Sequence, residues 1–333
     1  AIEDEEAWQR IQTVLEDRVK AGVEVRIFYD DMGSIWFVNM DFATKLKSLG
    51  IKCRVFNPIL PGLNMFLNNR DHRKITVIDG KVAFTGGVNL ADEYINKKVR
   101  FGHWKDTAIK IEGDAVQSFT MMFLQMWNIT ERQPEDYAKY LTEKQPGFSR
   151  KDGYIIPYGD SPFDHENVGE EVYFHILNHA KKYVHIMTPY LILDNEMIDA
   201  LTRAAKGGIE VQIIMPHIPD KPYAFYLAKT YYEELIAGGV EIYEYTPGFV
   251  HAKVFTSDDD TATVGSINLD YRSLYLHFEC GVFIYRNPVV RDIEKDFQDT
   301  LAKCQKVTMT EVRNRSTFVK IYGQVLRLVA PLM

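Results

Sequence analysis

A six-position pattern occurs twice in the chain in strict register: His72, Lys74, Asp79, Gly86, Gly87 and Asn89, then His251, Lys253, Asp258, Gly265, Ser266 and Asn268. His-x-Lys, four residues, Asp, six residues, then Gly-Gly/Ser-x-Asn is too specific to recur by chance. The chain is therefore an internal duplication, and each copy of the repeat must fold in the same way. The flanks repeat as well. Gly22–Tyr29 resembles Gly208–Met215, and Leu49–Phe56 matches Gly238–Tyr245, each a helix that stops at glycine and leads into a β-branched strand. Each half reads strand, helix, strand, motif. That alternation predicts an α/β fold with a mixed sheet flanked by helices in each half.

With 333 residues, two domains of ordinary size fit. The breaker-rich stretches Gln133–Asp136 and Gln145–Ser149 suggest a linker, so we expect domains at 1–148 and 149–304, with an amphipathic tail at 305–333. The second half has a helix around Glu170–Lys182 and a strand around Tyr183–Pro189 with no counterpart ahead of Ala1. The first half is thus expected to lack its opening elements and to carry an unpaired sheet edge. Phe119, Met122, Phe123, Met126 and Trp127 form a helical stripe expected in the core.

Thirty-nine basic against 46 acidic residues give a net charge of −7. Together with the lack of basic clusters interleaved with aromatics, this argues against nucleic acid as the partner. Three cysteines, Cys53, Cys280 and Cys304, form no paired spacing, so reduced thiols and no structural zinc are expected. No apolar run is long enough to span a bilayer.

The residues His72–Ile78 are rich in Ile, Val and Thr and read as a strand that projects His72 and Lys74 from one face; His251 and Lys253 match them. Lys74 and Lys253 offer point charges to phosphoryl oxygens, and Asn89 and Asn268 offer amide donors. Gly87 and Ser266 let the backbone come close. Histidine suits both nucleophilic and acid–base work near neutral pH. Each half alone lacks an acid or a base, and a pseudo-two-fold packing of the halves supplies it by setting two histidines on opposite sides of one phosphate. No metal is required. Asp106 and Glu279 are the candidates to hold the histidine rings. Asp79 and Asp258 lie seven residues past each histidine and are expected to hold the motif turn.

At these residues the chain resembles the phospholipase D superfamily, whose defining motif is His-x-Lys-x4-Asp followed by the Gly/Asn turn. The surroundings Asn68–Lys74, Phe84–Tyr94 and Gly248–Lys253 are similar to bacterial cardiolipin synthases. The resemblance implies two phospholipase-D-like repeats about a pseudo-two-fold axis. It implies His72 as covalent nucleophile and His251 as general acid, with Lys74, Lys253, Asn89 and Asn268 on phosphate, Asp106 and Glu279 orienting the histidines, and no cofactor. The reaction implied makes cardiolipin and glycerol from two phosphatidylglycerol molecules at a bacterial cell membrane, on its cytoplasmic side. A phospholipase-D-type hydrolase or another phosphodiesterase of the superfamily is the alternative. Such synthases carry N-terminal membrane helices, which are expected to be absent from this fragment. Oligomeric state is left open. The apolar stretch Pro58–Leu67 either packs internally or touches lipid. The stripe Phe318, Ile321, Tyr322, Val325, Leu328 and Val329 is expected to pack on the catalytic core, and an anionic membrane surface would read the same stripe.

Overall fold

The computed structural model describes residues 1–34, 38–39, 41–58, 68–129, 135–141 and 153–330. Among these, the repeated helix-to-strand units form as read. Helix Glu6–Lys20 passes through Gly22 (φ +87°) into strand Arg26–Asp30. Helix Asn195–Lys206 passes through Gly208 (φ +94°) into Glu210–Pro216. The left-handed stop costs glycine little, which is why both units end there. Asp194 caps its helix by accepting from the Met197 N–H at 2.7 Å.

The second half is built on one mixed sheet of eight strands. Its order is Cys304–Lys306, Glu241–Tyr245, Glu210–Pro216, Tyr183–Met187, Val254–Ser257, Thr261–Gly265, Glu279–Tyr285 and Tyr154–Asp160. Tyr183–Met187, Glu210–Pro216 and Glu241–Tyr245 run parallel, and the remaining pairs are antiparallel. The first half repeats this in two pieces. Arg26–Asp30 pairs parallel with Lys52–Phe56, while Ile75–Ile78, Val82–Gly86 and Ala108–Glu112 form a separate antiparallel sheet. In the second half Tyr183–Met187 joins the corresponding pieces, and the described first-half residues provide no such strand.

The halves share a core. Ala83, Ile111, Val116 and Phe119 of the first pack with Val254, Val264, Cys280, Val282 and Ile284 of the second in one apolar cluster. Phe119, Met126 and Trp127 are buried, and Met122 and Phe123 are half-buried, as the stripe implied.

The amphipathic tail expected at 305–333 meets the second half at two places. Cys304–Lys306 adds a strand to the edge of the second sheet, and Leu326 of helix Thr317–Val329 and Ala330 just past its end enter the second-half core with Tyr231. The boundary at 148/149, the linker stretch Gln145–Ser149, residues 59–67 of the apolar insertion and residues 331–333 lie outside the described residues.

Candidate active site

Both motif histidines sit just ahead of their strands rather than in them, since the strands begin at Ile75 and Val254. The reason is a backbone contact with the opposite half. The His72 N–H donates to Phe278 O at 3.0 Å, and the Phe278 N–H returns a bond to Arg70 O at 2.8 Å. In the mirror arrangement, Gly248–Val250 pairs parallel with His103–Lys105, and the His251 N–H donates to Lys105 O at 2.7 Å. Each motif is thereby splinted to the segment that carries the other half's carboxylate. A buried ion pair secures the first splint: Arg70 Nε lies 3.0 and 2.9 Å from the two carboxylate oxygens of Asp30, and the Asp71 N–H donates to Asp30 Oδ2 at 3.1 Å.

The carboxylates then act crosswise. His72 Nδ1 lies 2.8 Å from Glu279 Oε1, and His251 Nδ1 lies 2.8 Å from Asp106 Oδ2. Glu279 is fully buried and also accepts from the hydroxyls of Ser266 and Ser273. Burial pushes the Glu279 carboxyl up, opposed by Lys74, His277 and these hydroxyls. Asp106 Oδ1 accepts from the Thr107 N–H at 2.8 Å. An ionised carboxylate only accepts, so each Nδ1 carries the hydrogen and each Nε2 keeps its lone pair.

Lys74 and Lys253 fold back so that each Nζ donates to the carbonyl of its own histidine. The two lysines and the two histidines feel one another. Burial, then Lys74 and Lys253, hold His72 well below the usual imidazole range. Burial and Lys253 push His251 down to about 3 against the pull of Asp106. Lys253 itself is lowered to about 7, first by burial. Such a cluster is ready for an anion, because an entering negative charge relieves every one of these penalties.

The two asparagines differ in their support. Asn89 Nδ2 donates to Tyr94 Oη at 2.6 Å, whereas the Asn268 N–H donates to Ser273 Oγ at 2.8 Å, five residues on in both cases. Asn268 Oδ1 is buried without a partner among the described residues.

Gly87 and Ser266, expected to let the backbone come close to substrate, brace the carboxylates. The Gly87 N–H donates to Thr107 O at 3.1 Å, and a Cβ there would come within 2.2 Å of Asp106 Oδ1. Ser266 N–H donates to Cys280 O at 2.9 Å while its hydroxyl holds Glu279. Both support the carboxylates. Asp258 lies at its turn (φ +55°) and accepts from the N–H groups of Lys181, Lys182 and Tyr183 at 2.7, 2.9 and 3.1 Å, a structural role. Asp79 occupies the matching turn (φ +53°) and is exposed.

Sequence reasoning missed the walls. Tyr94 and Trp104 pack on the His251 ring, with centroids 5.3 and 5.2 Å away, and Ser273 serves both Glu279 and Asn268. His277 lies 5.8 Å from the His72 ring, ring to ring. The ring contacts of Tyr94 and Trp104 with His251 and of His277 with His72 exist only once the halves meet. His72, His277 and Glu279 offer ligand atoms within 4.8 Å of one another. However, His72 Nδ1 is already committed to Glu279, and the nearby Lys74 opposes a cation.

The geometry finds its likeness in known proteins. A family model described as "Cardiolipin synthase, PLD-like domain" matches residues 7–127 and 173–301. An uncharacterized protein of Streptococcus mutans serotype c is 54% identical over 98% of this chain and 70% of its own length. A cardiolipin synthase of Halalkalibacterium halodurans is 35% identical over the whole chain and 66% of its own length. The chain thus spans about two thirds of the relatives it matches. A crystal structure of phosphatidylserine synthase from Haemophilus influenzae Rd KW20 superposes with a TM-score of 0.74 at 14% identity, covering 100% of this chain and 88% of that one, and shows the fold to be shared.

Proposed function

Because the chain belongs to the family of cardiolipin synthase PLD-like domains, we propose that it carries the catalytic centre of a phosphatidyltransferase that makes cardiolipin and glycerol from two molecules of phosphatidylglycerol. The single observation that carries this reading is the crosswise pairing of His72 with Glu279 and His251 with Asp106, which brings two oriented imidazoles and two lysines into one site.

In the proposed reaction His72 Nε2 attacks phosphorus in line, forming the P–N bond. The P–O bond to the glycerol headgroup breaks, and His251 gives its proton to the leaving oxygen. The terminal hydroxyl of a second phosphatidylglycerol then attacks phosphorus, His251 takes its proton, and the P–N bond breaks to release cardiolipin. Lys74, Lys253 and Asn268 hold the phosphoryl oxygens through both steps. His72 is the more open of the two rings, with its side chain 26% exposed against 8% for His251, which supports its role as the group that meets the phosphodiester. Before the attack, the depressed His251 takes the proton for the leaving oxygen from solvent at Nε2 as the substrate charge settles between the lysines.

No helix among the described residues is long and apolar enough to cross a membrane. Helix Thr317–Val329 instead exposes Ile321, Val325 and Leu328 at 61, 55 and 83%, a ridge suited to the surface of an anionic bilayer holding the substrate.

The test is product analysis with phosphatidylglycerol in detergent micelles, using the parent chain, His72→Ala and His251→Ala. Cardiolipin and glycerol from the parent, lost in both variants, is the expected result. Phosphatidic acid as the sole lipid product would replace the transferase reading with a hydrolase.

A further inference from the structure

Outside the two-histidine site, three carboxylates converge where the first residues of the chain cross the turn after the first motif. Glu3 and Glu93 are 4% and 6% exposed, and one oxygen from each of Glu3, Glu5 and Glu93 lies within 4.8 Å of the others. The backbone fixes all three. The Glu3 N–H donates to Leu90 O at 2.9 Å, the Glu5 N–H to Glu3 O at 2.8 Å, and Glu93 sits in the 3-10 turn Asp92–Ile95. The cluster is therefore preformed.

Two cations approach it without satisfying it. Lys98, half in solvent, donates to Glu5 Oε1 at 2.6 Å and stops 3.9 Å from Glu3, while Arg100 stands 3.7 Å from Glu93 Oε1. Three carboxylates thus face two cations. Glu5 Oε2 and Glu93 Oε2 are buried with no hydrogen-bond partner among the described residues. A buried carboxylate oxygen without a donor is costly, and a hard cation with oxygen ligands offsets that cost.

We propose that Glu3, Glu5 and Glu93 form a binding site for a hard divalent cation of the calcium class. Calcium accepts irregular sets of carboxylate oxygens and fills its remaining positions with water, which suits three glutamates of unequal exposure. No step of the phosphatidyl transfer uses this ion. Its effect is on shape, because the turn that carries Glu93 also carries Tyr94, whose hydroxyl accepts from Asn89 and whose ring packs edge-on against His251. An occupied site pins that turn to the chain segment at Glu3–Glu5.

The test is thermal unfolding of the chain in calcium chloride against sodium chloride of equal ionic strength. The expected result is a calcium-specific rise in Tm of about 3 °C at concentrations well above Kd, lost in Glu93→Gln. Should Glu93→Gln fail to fold, Glu5→Gln, at a partly exposed position, serves in its place. No rise beyond the sodium control, or an undiminished rise in the variant, overturns the site. Neither result bears on the phosphatidyl transfer, which is read separately from lipid products.

Discussion

At the residue scale the site is a compromise between charge and burial. Lys253 is 2% exposed and lowered to about 7 from an ordinary 10.5. Between those two values the unfolded chain holds a proton that the folded chain has lost. Stability contributed through this group therefore rises with pH across that window, and near pH 7 the buried charge weighs against folding. Lys253→Met is expected to abolish turnover while raising Tm at pH 7 by about 2–4 °C, roughly 1 kcal/mol, with a smaller gap at pH 10, as scanning calorimetry would record. The carboxylates give a second prediction. Asp106→Asn and Glu279→Gln leave each histidine free to take the wrong tautomer, and each is expected to lower kcat by about 10²–10⁴-fold with little change in KM. The motif residues were legible in the sequence because their spacing repeats. The assignment of Glu279 to His72 and Asp106 to His251 was not, since nothing local records which half a carboxylate will face.

At the scale of elements, periodicity reads the glycine-ended helices and their strands correctly because both signals are local. It fails where another half intervenes. His72 and His251 precede their strands because their N–H groups are taken by Phe278 O and Lys105 O. Helix Thr317–Val329 shows a different failure. Its most apolar stripe was expected to pack on the core, yet the buried residues include Gly323, Leu326 and Ala330. Gly323 allows this, since a Cβ there would come within 2.5 Å of Thr230 Cγ2. Close approach selects the small face and leaves the ridge of Ile321, Val325 and Leu328 outside. Taking each such side chain out of water contributes about 1.5–3 kcal/mol. The double variant Ile321→Glu/Leu328→Glu is expected to lose co-sedimentation with phosphatidylglycerol vesicles while keeping its Tm and its turnover of a short-chain soluble substrate.

At the scale of the molecule, duplication makes one site from two incomplete ones. Each motif histidine takes its carboxylate from the opposite half, and the apolar cluster common to both halves holds the crossed pairs in place. The repeat in the sequence foretold two halves and a single shared site, whereas the shared core could be read only from the packed sheets. The central claim is that His72 forms the covalent bond and His251 moves the proton. A phosphatidyl p-nitrophenyl ester tests it most directly, because its leaving group needs no acid. Rapid-quench measurement with His251→Ala is expected to show a burst of one equivalent of nitrophenolate and lipid phosphate retained on His72, with no burst from His72→Ala. A burst that survives in His72→Ala, or no lipid bound to protein in either variant, would contradict it.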